Sequence, residues 1–313
     1  MSAIDAETKA YLSNADRFAD IFNFWIYNGD EVVKAGDLQE LDTASIVLPY
    51  GNNAKQPAQK FRDILKLYTA KRDDRAIYLV LGIEAQSHIH YAMPVRNMLY
   101  DAMNYTEQVK AVADANRKSG TKMTSDEFLS GFCKDDRVMP VITLVVSFSP
   151  QPWDGPMSLH EMMGVTDERL LSFVPDYRLN LLSPERIDEP DFDKFRTGVG
   201  AVMQFIKHQR DESMEWIAGE KRFEAVDRET ASLIKTATGT DISLEEEGEM
   251  INMRNAWNDS LKEAAEKAAE KVRMEERVNS IRNLMATMKW TAQQAMDALK
   301  IPVAEQAQYA SQV

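Results

Sequence analysis

FRDILKLYTAKRDDRAIYLVLGIEAQ, residues 61–86, holds two apolar runs on either side of a charged tip. In the first run Phe61, Asp63, Leu65 and Leu67 alternate with Arg62, Ile64 and Lys66, the period of two expected of a half-buried strand. The second run, AIYLVLGI, is apolar at nearly every position. With the tip KRDDR between them the two runs predict a β-hairpin. Continuous apolarity leaves no solvent face, so the second strand is expected to lie centrally, covered on both sides.

Working outward, Phe18, Ile21, Phe22 and Trp25 recur at three and four and predict an amphipathic helix from Asp16 to about Trp25, with Asn14 or Asp16 as its cap. Beyond the hairpin a helix is expected over Met93 to Lys118, with Val95, Met98, Leu99, Ala102, Met103, Tyr105, Val109 and Val112 as its apolar positions and Gly120 ending it. RVMPVITLVVSFSP (137–150) reads as a strand, and PQPWDGP (150–156) as a turn-rich loop. SLHEMMG (158–164) reads as a short helix capped by Ser158, with Glu161 three residues on. LLSFVPDYRLNLLSP (170–184) adds extended segments. The order helix, hairpin, helix, strand, helix, strand predicts an α+β fold, a mixed sheet flanked by helices.

After Pro190 helix dominates. One helical segment runs from Asp191, Phe192 and Phe195 through Val199, Val202, Met203 and Ile206, and a shorter one spans about Phe223 to Thr236. TATGTDISLEEEGE (236–249) reads as a linker. A long amphipathic helix follows over about 250–288, whose apolar residues Trp257, Leu261, Ala265, Ala268, Val272, Val278, Ile281, Met285 and Met288 form a narrow seam among charged positions. Such a seam suits helix–helix association, in cis or with a partner chain. Thr291, with Gln294 three residues on, caps a last short helix that Ile301-Pro302 ends.

The chain of 313 residues has the apolar and charged fractions of an ordinary globular protein, which excludes global disorder. Its single cysteine, Cys133, can form no internal disulfide, and the first residues carry neither a basic nor an apolar export region, so a cytoplasmic location is expected. No window approaches the roughly 18 to 20 consecutive apolar residues of a membrane span. The net charge of −13 argues against a general polyanion binder. Residues 55–75 run the other way, with Lys55, Lys60, Arg62, Lys66, Lys71, Arg72 and Arg75 against Asp63, Asp73 and Asp74. They read as a solvated strand face and hairpin tip, or as a track for phosphate.

The residues with the most chemical potential are Asp63 and Glu84-Ala85-Gln86. If the strands pair around the KRDDR tip, Asp63 and Glu84 approach one another although 21 positions separate them. Two converging carboxylates suit a hard cation such as Mg²⁺, which activates water and neutralises a leaving oxygen. Gln86 falls on the same strand face as Glu84. The plainer reading of Glu84 is a strand-end carboxylate paired with a surface Lys or Arg. His88 and His90 have the H-x-H spacing of a transition-metal ligand pair but no third ligand nearby in sequence, and read as a solvated loop. Walker A, G-x-S-x-G, C-x-x-C and Rossmann glycine patterns are absent from the sequence.

RAIYLVLGIEAQSHIHYAMPVRNMLYDAMNY (75–105) resembles the Rpn family of recombination-promoting nucleases and putative transposases, in which an I-E-x-Q motif ends a central strand and a Met-Pro-x-Arg…Tyr helix follows. FRDILK (61–66) matches the position of that family's motif Asp. SFVPDYRLNLLSP and FRTGVGAVMQFIK resemble the branch with long C-terminal extensions, so the likeness spans about residues 10–260. It implies a PD-(D/E)xK restriction-endonuclease-like core over residues 10–210 and a helical extension over 211–313. It also implies Mg²⁺- or Mn²⁺-dependent cleavage of DNA linked to recombination or mobile DNA. Carried over, Asp63 and Glu84 are metal ligands and Gln86 stands where the motif Lys would be, an amide that can hydrogen-bond but cannot carry charge. The chain departs from the pattern at Arg62-Asp63, which has no preceding Pro. Arg96 and Tyr100, four apart on one helical face, become candidates for holding the carboxylates or a phosphate, beside a structural reading as an Arg–Glu bond and a core-edge Tyr.

Two other readings stand beside the nuclease. One is a protein that keeps the fold without turnover and acts as a DNA-binding or regulatory module. The other is a helix-turn-helix at WTAQQAMDALKIPVAEQAQY (290–309), which only Lys289 and Lys300 would make basic. Under the nuclease reading the long helix would make a homodimer that presents one cutter to each strand.

Overall fold

The computed structural model describes residues 3–41, 44–47, 58–61, 64–72, 75–211, 215–240, 242, 244 and 249–310. It divides into two compact units, residues 1–240 with 247–251, and residues 241–246 with 252–313. The first unit carries helices α1 (Ala3–Ser13), α2 (Ala15–Tyr27), α3 (Met93–Ser119), α4 (Ser125–Ser130), α5 (Glu168–Leu171), α6 (Val199–His208) and α7 (Arg228–Thr238). Its strands are β1 (Leu38–Glu40), β2 (Ala44–Val47), β3 (Ala58–Phe61), β4 (Ile64–Arg72), β5 (Arg75–Gln86), β6 (Val141–Ser147), β7 (Asn180–Leu182), β8 (Val226–Asp227) and β9 (Met250–Ile251). The second unit carries α8 (Met253–Met288), α9 (Ala292–Ala298) and α10 (Val303–Ala310).

The fold is α+β around a mixed five-stranded sheet in the order β1-β4-β5-β6-β7. β1 and β5 run antiparallel to β4, and β5, β6 and β7 are mutually parallel. The hairpin expected from residues 61–86 is β4–β5, in register from Ile64 opposite Ile83 to Arg72 opposite Arg75. β5 is central, as its apolar run requires, and Leu81, Gly82 and Ile83 are buried. The β5-to-β6 crossover runs through α3, the connection that two parallel neighbours need.

Strand alternation assigns the two faces of the sheet. Ile64, Lys66 and Tyr68 on β4 share a row with Ile83 and Leu81, and this row meets the N-terminal helices: Lys66 Nζ donates to the Ser13 carbonyl at 2.8 Å and lies over the Phe18 ring. The other row runs through positions 82, 84 and 86 of β5 beside Thr143, Val145 and Ser147 of β6. α3 covers it, since Met93 packs with Val145 and Asp101 accepts from Thr143 Oγ1. Lys66 therefore belongs neither to a solvated face nor to a phosphate track: it is 2 % exposed, with its charge spent on a helix-end carbonyl and Glu40 at 3.6 Å.

Several boundaries differ from the sequence reading for identifiable reasons. α2 is capped by Asn14, whose side chain accepts from the Asp16 and Arg17 amides, and α1 precedes it without a strong apolar stripe to announce it. The helix expected over 191–206 is broken into a 3-10 stretch, Glu189–Lys194, and α6. Between them the Asp20 carboxylate accepts from the Arg196 and Thr197 amides and from Thr197 Oγ1, bending the chain toward α2. SLHEMMG makes only a 3-10 turn, His160–Met162, and within LLSFVPDYRLNLLSP only β7 is a strand. On α3 the buried residues are Met93, Pro94, Asn97, Tyr100, Asp101 and Ala113, whereas Ala102 and Val109, two of the expected apolar positions, are exposed.

α1, α2, α6 and α7 pack on one another, and a buried polar chain fixes them. Tyr11 OH meets Thr230 Oγ1 at 2.8 Å, Thr230 Oγ1 donates to Asp227, and Arg17 binds both Asp227, at 2.9 Å, and Glu229 while its guanidinium lies over the Tyr11 ring. Gly198 is required at the entry to α6, because a Cβ there would overlap Thr230. α7 and the β8–β9 pair are thereby integral to the first unit.

In the second unit the C-terminal half of α8 folds against α9 and α10. Val278 and Ile281 close with Ala295, Met296, Ile301 and Tyr309 into a small core, flanked by Met274, Leu284 and Met285. Thr291 and Gln294 form the expected capping box, and the two turns pass through Lys289 and Lys300 in the left-handed conformation. Among the described residues no helix is long and apolar enough to cross a membrane.

Replacing Arg17 by Ala removes one partner of a largely buried ion-pair network. Discounted for the partial exposure of Asp227 and Glu229, the loss is about 2–3 kcal/mol, to be read as a lowered thermal unfolding midpoint of the first unit. An unchanged midpoint would show that the network does not hold these helices.

Candidate functional site

The residues singled out from the sequence gather at the end of β5 and on α3. Position 84 pairs in register with Val145 and Gln86 with Ser147, so Glu84-Ala85-Gln86 is the last stretch of β5 before the chain leaves the sheet. The Glu84 side chain, and Asp63 and Arg62 altogether, lie outside the described residues. Gln86 is half-buried; its Nε2 donates to the adjacent Ala85 carbonyl at 2.8 Å, and its own carbonyl accepts from the Phe148 amide at 2.8 Å, tying the ends of β5 and β6 together.

Arg96 and Tyr100 lie together on α3. Arg96 Nε donates to Tyr100 OH at 3.3 Å, the guanidinium carbon is 5.7 Å from the ring centroid, and Tyr100 is buried. Both have further partners among the electrostatic and hydrogen-bonding groups around them. Arg62, part of the basic stretch read as a possible phosphate track, lies outside the described residues.

The structure adds residues that hydropathy passed over. Asp101, buried one turn beyond Arg96–Asn97, accepts from Thr143 Oγ1 and from Tyr177 OH, each at 2.6 Å. Hydroxyl-to-carboxylate bonds of this length are the strong, charge-assisted kind. They fasten α3 to β6 and bring the 150–179 connection over the helix, where Trp153, Leu179 and Leu181 close a core with Met93 and Val145. Asn97, between Met93 and Asp101 on the same helical stripe, is 1 % exposed. The available signal was polar residues at i and i+4 within an otherwise apolar register, Met93-Asn97-Asp101. At the mouth, Asp5 of α1 accepts from Ser87 Oγ at 2.7 Å, and Ser87 Oγ lies 3.1 Å from His88 Nδ1.

Chemically this end of the sheet offers oxygen donors, hydroxyls and one guanidinium. Among the described residues no group of three or more His, Cys, Asp or Glu side chains is arranged to hold a metal ion. Two clefts lie elsewhere in the first unit: one of about 610 Å³ is lined by Arg17, Arg196, Thr197, Arg222 and Asp227, and a neighbour of about 550 Å³ by Asp16, Asp20, Glu31 and Arg196. Arg17 and Arg222 in the first are already bound to acids, Asp227 with Glu229 and Asp193 with Glu220.

Comparison with protein-family models, with curated proteins and with solved structures gives no match to this chain.

Tyr177→Phe removes one of the two hydroxyls on Asp101. The expected cost is about 1–2 kcal/mol, the size of a hydrogen bond to a charged group, measured by urea unfolding. Asp101→Ala strands both hydroxyls and is expected to cost more. Equal stability of Tyr177→Phe and wild type would mean that this bond does not fasten the 150–179 connection.

Proposed function

We propose that the first unit is a divalent-metal-dependent deoxyribonuclease with a PD-(D/E)xK core, hydrolysing DNA phosphodiester bonds in a role linked to recombination or mobile DNA. The observation that carries this reading is the hairpin register. Ile64 pairs with Ile83; Asp63 precedes the one in sequence and Glu84 follows the other, the order that a two-carboxylate site across the hairpin would need. The succession of an N-terminal helix, a hairpin, a crossover helix and a parallel strand supports it too.

The donor set fits a hard cation: two carboxylates and an amide oxygen, with no thiol among them. Asp63 and Glu84 would hold Mg²⁺ or Mn²⁺, which supplies Lewis-acid neutralisation of the phosphate charge. Gln86, an amide with one hydrogen already given to Ala85, can orient water only by hydrogen bonding. Arg96, steadied by Tyr100, offers a positive charge to a carboxylate or to the DNA backbone. A second reading, a nuclease-fold protein that binds DNA or a regulatory partner without turnover, is favoured by that same engagement of Gln86 and by the net charge of −13.

Plasmid cleavage with Mg²⁺ or Mn²⁺ separates the two. The wild type is expected to cut, and Asp63→Ala and Glu84→Ala to lose at least about a hundredfold in rate while keeping the wild-type unfolding midpoint without metal. Binding of DNA with no cleavage by any of the three proteins would decide for the second reading.

Homodimer formation through the long helix is part of the same proposal. Val278 and Ile281 of its seam are engaged with α9 and α10, while Val272 and Met288 are half exposed and left for a second copy. Light scattering of the full chain is expected to give twice the 35.5 kDa chain mass; the mass of a single chain removes the dimer.

A further inference from the structure

Asn97 is the buried polar residue on α3 for which the fold gives no account. Its side-chain Oδ1 and Nδ2 are both enclosed, and neither has a hydrogen-bond partner among the described residues. Buried amides are almost always satisfied, and a folded protein gains nothing by enclosing one that is not; an apolar side chain of the same branched shape, leucine, would serve the core better. The neighbouring polar residue of the same stripe, Asp101, is fully engaged by Thr143 and Tyr177, so the helix face is not loosely built.

Its position is fixed by its neighbours. Met93, one turn earlier, packs with Val145, and Asp101, one turn later, bonds Thr143. Asn97 thus lies over the segment of β6 between those residues, whose partners in register on β5 are Gly82 and position 84. Gly82 contributes no side chain to this row. Asn97 is thus set over Thr143 and Val145, with position 84 beside Val145 in register.

We propose that Asn97 is a further positioning residue of the candidate site, its carboxamide reserved for the polar group that enters beside position 84 with the divalent cation. This assignment rests on the nuclease reading. A carboxamide suits the task because it offers an acceptor and two donors without adding charge next to a carboxylate.

Asn97→Leu and Asn97→Ala in the full chain test it, with plasmid cleavage and the Mg²⁺- or Mn²⁺-induced shift in unfolding midpoint as separate readouts. Asn97→Leu is expected to unfold at the wild-type temperature or above without metal, to cut at least tenfold more slowly, and to need at least tenfold more metal for half the shift. Asn97→Ala, which unfolds lower because it leaves a cavity, is expected to show the same two losses. A leucine variant that cuts and responds to metal within twofold of the wild type overturns the assignment and leaves the nuclease reading standing. A wild type that neither cuts nor responds to metal removes that reading, and the assignment with it.

Discussion

A strand hydrogen-bonded along both edges and buried at Leu81, Gly82 and Ile83 has no room for an unpaired charge along its length. β5 meets this constraint by keeping charged side chains to its two ends, Arg75 and Glu84, and much of the first unit follows from it. The hairpin with β4 supplies one edge, the crossover through α3 supplies the other, and the helices that cover the two rows must bring their polar groups already matched. Lys66 and Asp101 are the two matched cases, one on each face: an ammonium held by the Ser13 carbonyl and a carboxylate held by two hydroxyls.

What was legible in the sequence was whatever local pattern and local chemistry dictate. The hairpin followed from an alternating run beside a continuous one. The C-terminus of α3 followed from Gly120, which takes the left-handed conformation, and the start of α9 from Thr291 with Gln294. The buried face of α3 was not legible. Two of its members, Asn97 and Asp101, are polar, and Asp101 is made tolerable by Thr143 and Tyr177, 42 and 76 positions away. The break before α6 has the same origin, since Asp20 binds amides 176 and 177 positions further on. Of the candidate site, the register that would join Asp63 to Glu84 could be anticipated, because it depends only on where the hairpin turns. Asp101 could not, because it owes its place to distant partners.

The second unit obeys a different economy. Its long helix has too narrow an apolar seam to form a core alone, and the chain solves this for Val278 and Ile281 by folding two short helices back on them. Arg277, bonded to Tyr309 OH and Glu305, ties α10 to the outer side of the same turn. Over this half of the seam α8 packs on α9 and α10 of the same chain.

The network around Arg17 joins residues more than two hundred positions apart, and this has a consequence for biosynthesis. As the chain is made α1 and α2 precede α7, so Tyr11 and Arg17 have only one another within this network until Asp227, Glu229 and Thr230 have been made. Until then the nascent polypeptide must carry a long, partly apolar intermediate whose sheet and first helices are complete and whose closing helix is still in the exit tunnel. Contacts of such separation are slow to form, and the exposure lasts for most of translation. The interval before α7 arrives thus leaves open the faces of α1 and α6 that α7 later covers, and a weakened network would lengthen that exposure.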